Sequence, residues 1–347
     1  MTDRLRAAFR WQAGACRDLG SPFMGQLCDV LAQRLQPGTA LTDRMFDWPG
    51  DLSPKSESVP LRLCGALHAL RLSGRAGLEQ VYPPHHVSDD ELWQAIEKTL
   101  ISEAGFVDDF INSPPQTNEV RRQCALIAMG HFLTQTYDLP IVLSELGASA
   151  GLNLTWDRST LIAGDAQLGP DKPVMVLRPE WTGTPPTGPH PNVVERRGVD
   201  LNPLDPHADS LRLRAYLWPD QPERLTLTAA AIDAAEGHVD RADAIDWIEQ
   251  RLTPRTGHLH LIYSTIAWQY FPKASQTRGT DLIEAAGAKA TTETPLAWFA
   301  MEPDDQKPGE QKPGAAMTLR LWPGDLRFDL GRVDFHGRWI HWDPQQH

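Results

Sequence analysis

The chain has 347 residues, enough for one large domain or two of ordinary size. Hydrophobic residues make up 41% and support a full core, while no apolar run approaches the roughly 20 residues that a helical bilayer span requires, so no membrane partner is expected. A formal charge of −12 argues against general affinity for nucleic-acid backbone, which depends on basic patches that displace counterions, so no nucleic-acid partner is expected either.

From the N-terminus, Met1 to Arg10 alternates charged and apolar residues and lacks the apolar centre of a signal peptide, which makes the cytoplasm the expected location. Apolar residues then recur at helical spacing: Leu5/Ala8/Phe9, Phe23/Leu27/Val30/Leu31, Leu61/Leu63/Leu67/Leu70 and Leu92/Ile96/Leu100. Loops such as Trp48-Pro49-Gly50 and Tyr82-Pro83-Pro84 separate them, and few strand-like runs occur. The cysteines Cys16, Cys28, Cys64 and Cys124 stand at wide, irregular spacing without a C-x-x-C pair; buried free thiols are expected and no metal site. The pairs His85-His86 and His258/His260 also lack a metal-ligand context, the second alternating on one face of an expected strand. A last helix is expected from about Asn118 to Tyr137, with Thr117 or Asn118 as its N-cap. Residues 1–138 thus read as an all-helical region, expected to form a lid or acceptor pocket.

After residue 138 strands and helices alternate. Strands are expected at Pro140–Glu145, Val193–Asp200, Val239–Ala242, His258–Ser264, Leu296–Met301, Ala316–Leu321 and Val333–Trp342. Helices are expected at Ala150–Arg158, Glu223–Glu236, Ala244–Leu252 and Ser275–Ala286. Such interleaving indicates a parallel sheet covered on both faces, and the last two strands, with no helix between them, should pair antiparallel at an edge. The Pro- and Gly-rich stretch 159–192 reads as a loop or small hairpin insertion, and Glu302–Pro313 as a mobile surface loop.

The segment Glu145-Leu146-Gly147-Ala148-Ser149-Ala150-Gly151 ends the first strand in an acid and a glycine turn. As Gly-x-Ser-x-Gly it is the nucleophile elbow of a serine hydrolase, with Asp243 or Asp281 and His336 or His341 following in order, although the upstream His-Gly-Gly-Gly is absent. As a dinucleotide turn it lacks glycine where the fingerprint requires it, at Ser149 and Leu152. As acid-x-Gly-x-Ser-x-Gly it resembles the cofactor loop of S-adenosylmethionine (SAM) methyltransferases. That reading asks for an acid at the tip of the second strand to accept the ribose hydroxyls, and Asp200 stands there, followed by Asn202. It also asks for a polar residue after the third strand to meet the adenine amino group, which Asp243-Ala244 supplies. Backbone at Gly147, Ala148, Ser149, Gly151 and Asn153 would pass the methionine part, with Glu145 orienting the loop or meeting the ammonium.

Four stretches outside this turn are as distinctive: Pro115-Gln116-Thr117-Asn118-Glu119-Val120-x-Arg122, Gly198–Pro206 with Asp200-Leu201-Asn202-Pro203-Leu204-Asp205-Pro206, Leu217-Trp218-Pro219-Asp220-Gln221-Pro222-Glu223-Arg224 and Ala267-Trp268-Gln269-Tyr270. With the turn, they identify the chain as resembling, over nearly its full length, the bacterial domain of unknown function family DUF2332. The resemblance implies an α/β fold, a doubly wound Rossmann-like sheet similar to class I methyltransferases, in residues 139–347. The expected activity is SAM-dependent methyl transfer to a small molecule, with SAM as cofactor. Asn118, Glu119 and Arg122 would hold cofactor or substrate, Trp218 would stack on adenine or pack in a core, and Tyr263, Ser264, Trp268 and Tyr270 would border the acceptor. A serine hydrolase using Ser149 and a non-catalytic nucleoside-binding protein remain the alternatives.

Overall fold

In a computed structural model of the chain, residues 2–53, 56–304 and 312–347 are described. The chain divides into two compact units, Met1–Thr117 with Ala208–Thr226, and Asn118–His207 with Leu227–His347. The boundary falls at residue 117 instead of 138, because the helix preceding the first strand is part of the sheet unit's core.

The first unit is built on α1 (Thr2–Asp18), α2 (Pro22–Arg34), α3 (Ala40–Phe46), α4 (Val59–Leu72), α5 (Asp89–Ser102) and α6 (Ala104–Phe110). Leu5, Phe9, Ala13 and Cys16 of α1 are fully buried at three- and four-residue spacing, so one stripe of the helix faces the core. Sequence also fixes where helices begin. Ser21 Oγ accepts from Met24 N ahead of Pro22, and Ser88 with Glu91 forms a reciprocal capping box at the start of α5. Cys16, Cys28 and Cys64 are free and buried in this unit, Cys124 in the other.

In the second unit α7 (Gln123–Leu133) follows a 3-10 turn, Val120–Arg122, capped by Glu119 instead of Thr117 or Asn118. The chain then runs through β1 (Ile141–Leu146), a 3-10 segment Leu152–Arg158, and four short strands: β2 (Thr160–Ala163), β3 (Ala166–Leu168), β4 (Val176–Leu177) and β5 (Glu180–Thr182). The expected helix Ala150–Arg158 is thus a 3-10 segment, broken by non-helical backbone at Thr155. The stretch expected as an insertion forms a small sheet of order β3-β2-β4 whose first pair is an antiparallel hairpin.

There follow β6 (Val193–Asp200), α8 (Ser210–Ala215), which belongs to the first unit, α9 (Pro222–Asp233), β7 (His238–Arg241), α10 (Ala244–Arg251), β8 (Leu259–Thr265), α11 (Lys273–Gly287) and β9 (Leu296–Glu302). The chain closes with β10 (Ala315–Trp322), β11 (Leu326–Val333) and β12 (Trp339–Gln346). The main sheet has nine strands in the order β5-β12-β11-β10-β9-β8-β1-β6-β7. The block β9-β8-β1-β6-β7 is parallel throughout; every residue of β1, at its centre, is buried, and such a strand needs cover on both faces. Beyond β9, β10, β11 and β12 form an antiparallel meander, and β5 closes that edge parallel to β12.

The sequence-based strand Val333–Trp342 requires correction. It spans the end of β11, a turn with Gly337 at φ +69°, and the start of β12, so β10 pairs with β11 and not with the final strand. Of the expected loop Glu302–Pro313, residues 305–311 lie outside the described residues. Among the described residues, no helix is long and apolar enough to cross a membrane, and no three His, Cys, Asp or Glu side chains are placed to hold a metal ion.

Candidate functional site

The glycine turn joins β1 to its two parallel neighbours at their C-terminal ends. Gly147 N and Ala148 N both donate to Val199 O, at 2.9 and 3.0 Å. Gly147 has φ +74° and Gly151 φ +71°, a region that favours glycine. Their missing Cβ atoms point at protein: one at Gly147 would lie 2.5 Å from Ala267 Cβ, one at Gly151 2.8 Å from Val239 Cγ2. Between them Ser149 is held left-handed at φ +54°.

Asp200 anchors this turn. Its Oδ2 accepts from Ser149 N and its Oδ1 from Asn202 N, both at 2.9 Å, and each oxygen retains a second acceptor position. Its carbonyl accepts from Ala242 N at 3.2 Å, joining the tips of β6 and β7. Asn202 Oδ1 accepts from Arg241 Nη1. Asp243 caps α10, accepting from Ile245 N and Asp246 N, with Ala244 as the first helical residue. Asp200, Asn202, Asp243 and Ala244 therefore gather at one edge of the turn.

Beneath the turn lies a closed polar cluster. Glu145 is buried, and its Oε2 accepts from the equally buried Tyr263 hydroxyl at 3.2 Å. Burial pushes the Glu145 carboxyl up to about 8; the Tyr263 hydrogen bond opposes this, the Asp200 charge adds to it, and Arg122 opposes it. Ser149 Oγ and Asn153 Oδ1 are buried and have no hydrogen-bond partner among the described residues. Buried orphans of this kind are rare in folded proteins and mark strain, function or an unfilled contact.

The expected cofactor-holding trio is turned to the protein itself. Asn118 Oδ1 accepts from Leu152 N at 2.9 Å, which is why Asn118 does not cap its own turn. Glu119 Oε1 takes the Arg121 N–H groups, and Arg122 donates to the carbonyls of Thr265 and Phe335. Gln123, which sequence reasoning passed over, bridges Leu152 O and Ser159 Oγ while fully buried. Nothing in its local pattern distinguishes it from any glutamine at a helix start.

Of the four residues expected around an acceptor, only Tyr263 reaches the Glu145 cluster. Ser264 points to the opposite face of β8 and donates to Glu302 Oε1 at 2.8 Å. Trp268 packs edge-on against Trp298 and tilted against Phe271, and Tyr270 is 63% exposed. Glu302, at the tip of β9, was not anticipated. Its Oε1 also accepts from Ala267 N and Trp268 N at 3.0 Å, yet burial still raises its carboxyl above the usual range. It holds the loop after β8, where Ile266 adopts φ +54°, a strained value for a β-branched residue. Trp218 lies in the core of the helical unit with the Arg224 guanidinium over its ring.

The arrangement lacks what a serine nucleophile needs. Ser149 Oγ has no hydrogen-bonded base, and His341 Nδ1 is engaged with Thr182 Oγ1 at 2.9 Å. No curated protein and no solved structure matches the chain in sequence. Residues 6–342 do match a family described as "Uncharacterized protein conserved in bacteria (DUF2332)", and with nearly the whole chain covered, the protein belongs to that family.

Proposed function

We propose that the protein is a SAM-dependent methyltransferase acting on a small molecule, with the cofactor at the C-terminal ends of β1, β6 and β7. The observation that carries the reading is Asp200: a carboxylate at the tip of the second parallel strand, hydrogen-bonded to the N–H of Ser149 in the turn after the first. Strand order supports it. Numbered along the chain, the parallel block runs third, second, first, fourth, fifth, the order of a doubly wound Rossmann-like sheet and of class I methyltransferases. Ligands in such sheets bind outside the strand ends at the point where the order reverses, here between β1 and β8.

In this reading Asp200 accepts the ribose hydroxyls through its remaining acceptor positions, and Asp243 with Ala244 borders the adenine. The residues fit the cofactor in part. The carboxylate suits a diol and the buried Ser149 and Asn153 oxygens still need donors, whereas the two glycines are already required by Ala267 and Val239. Asn118, Glu119 and Arg122 act as positioning residues that hold the loops. Bound SAM would supply an electrophilic methyl group, and the protein's contribution to rate would be alignment of the acceptor with it.

Calorimetric titration with SAM and with its demethylated product tests this. Low-micromolar binding is expected, weakened by about 1–3 kcal/mol in Asp200→Ala, the scale of an unmatched polar contact. Asp200→Asn, which keeps one acceptor oxygen, should fall between the two. A folded wild-type protein that takes up neither compound, or an Asp200→Ala variant that binds as well as wild type, overturns the reading.

A further inference from the structure

The helical unit contains a cavity of about 920 Å³, within the range that encloses small organic ligands. It unites two sequence features that the methyl-transfer reading leaves unused, the Tyr82–His86 turn and the Trp218–Asp220 segment. Its walls are apolar and stiff: Pro22 and Phe23 from the start of α2, Pro83 and Pro84 from the turn, Pro219 and Pro222 ahead of and at the start of α9. Prolines have little conformational entropy to lose, so such a wall is largely formed before a ligand arrives.

The polar groups on this wall are unequal. Asp220 is already committed: Oδ1 accepts from Ser21 Oγ at 2.5 Å and Oδ2 from Phe23 N at 2.9 Å, so its charge is matched to the N-terminal end of α2. Gln26 is held by Val87 O and Asp89 Oδ1. Arg71, at the end of α4, is the uncommitted group. Its one hydrogen bond among the described residues is a long contact of 3.4 Å from Nη2 to Pro83 O, and its buried Nε has no acceptor. His85 and His86 stand on the same wall and can donate further hydrogen bonds.

We propose that this cavity binds a small organic acid, an apolar and preferably flat body carrying one carboxylate, with the carboxylate on Arg71 and the body against the prolines and Phe23. A planar guanidinium with open donors matches a carboxylate in two-point geometry, and the proline and Phe23 walls suit a flat apolar body.

The test is calorimetry on the full chain with three probes of one shape: phenylacetate, benzylamine and benzyl alcohol. Phenylacetate should bind best. Arg71→Gln should weaken it about tenfold or more, the scale of a charge-assisted hydrogen bond, while Arg71→Lys retains part of the affinity. Leu225→Trp, which fills the cavity from α9 without touching Arg71, should abolish binding of all three. Equal or tighter binding of benzylamine, phenylacetate binding indifferent to both Arg71→Gln and Leu225→Trp, or no binding of any probe at millimolar concentration would overturn the proposal. Melting temperatures show whether each variant is folded, and if Arg71→Gln is not, Arg71→Lys and Leu225→Trp decide.

Discussion

Ser144 and Glu145 are neighbours on β1 and both buried, but strand geometry sends them to opposite faces of the sheet, and the two faces treat polar groups differently. Around Ser144 the hydrogen bonds are complete, although farther along the same face Arg197 Nε, Trp298 Nε1 and Glu302 Oε2 find no partner among the described residues. Arg251 donates through Nε to Ser144 Oγ at 3.0 Å and through Nη2 to Glu195 Oε1 at 2.7 Å, leaving the Ser144 hydroxyl proton for His260 Nε2 at 2.8 Å. Because Arg251 can only donate, the Ser144 hydroxyl proton is free to go to Nε2 of a neutral His260. On the Glu145 face one hydrogen bond from Tyr263 serves a buried acid, and Ser149 Oγ and Asn153 Oδ1 have none among the described residues. A completed network around Ser144 is architecture. An incomplete one around Glu145 is where sequence and stability part company, which in natural proteins is where function tends to sit.

The contrast has a pH signature, and this is its largest expected effect. Glu145 titrates near 8 in the folded protein against about 4.5 unfolded, so folding favours its protonated form. The stability it contributes is present below the unfolded value and is lost as pH rises through about 8. His260 runs the other way: burial, with the Arg251 charge adding, pushes its imidazole down to about 4 from 6.5. Its contribution is present above 6.5 and lost as pH falls toward 4. From about 4.5 to 6.5 the two slopes oppose each other; from 6.5 to 8 only the loss from Glu145 remains. Urea unfolding across this range should show stability declining above pH 6.5, and Glu145→Gln should remove the decline, a difference on the order of several kcal/mol at the alkaline end. An unchanged profile in that variant would mean that Glu145 is charged in the folded protein.

Next in size is the loss of the cation on the paired face. Arg251→Met removes the guanidinium that lies over the Trp247 ring and strips Ser144 and Glu195 of its hydrogen bonds. About 2 kcal/mol of stability should disappear at neutral pH, a value reduced by the 37% exposure of Glu195, with no comparable loss from Glu145→Gln. If both variants proved equally costly, the two faces would not differ in the way their hydrogen bonds indicate.

The paired and unpaired faces were not equally legible in the sequence. Apolar runs and alternation located β1, β8 and β10 to within a residue or two, and β6, which is mostly polar, was found from the acid at its tip. It missed β11, whose Leu326-Arg327-Phe328-Asp329 alternation lies half in solvent and contains Gly331 at φ +103°, and it therefore stretched the final strand across a turn. At the site, the acid at the tip of β6 was readable because a strand end and an aspartate coincide. Gln123, Glu302 and the hydrogen bonds of Asn118 and Arg122 were not, since each is defined by a partner at least 29 residues away, from Gln123 to Leu152 at the nearest to Arg122 with Phe335 at the farthest. The boundary near residue 117 was hidden for the same reason: α7 looks like one more amphipathic helix until its neighbours are known, and those are Trp156, Leu161 and the strands of the sheet.

The smallest expected effect bears most directly on what the unpaired face is for. Ser149 Oγ is sealed from solvent with nothing to bond, so Ser149→Ala removes a desolvated hydroxyl and leaves the left-handed backbone to a residue no worse suited to it. Stability should rise by about 1 kcal/mol, read from the urea midpoint. A nucleophile would behave otherwise, since its hydroxyl is kept in place by a base and its loss costs activity with little change in stability. A fluorophosphonate probe that labels wild type at Ser149 but not Ser149→Ala would restore the hydrolase reading despite the missing histidine. An unlabelled serine whose removal stabilises the fold would instead mark the hydroxyl as a group waiting for a donor. SAM offers one in its ammonium group, and the variant should then bind the cofactor more weakly even as the protein itself becomes harder to unfold.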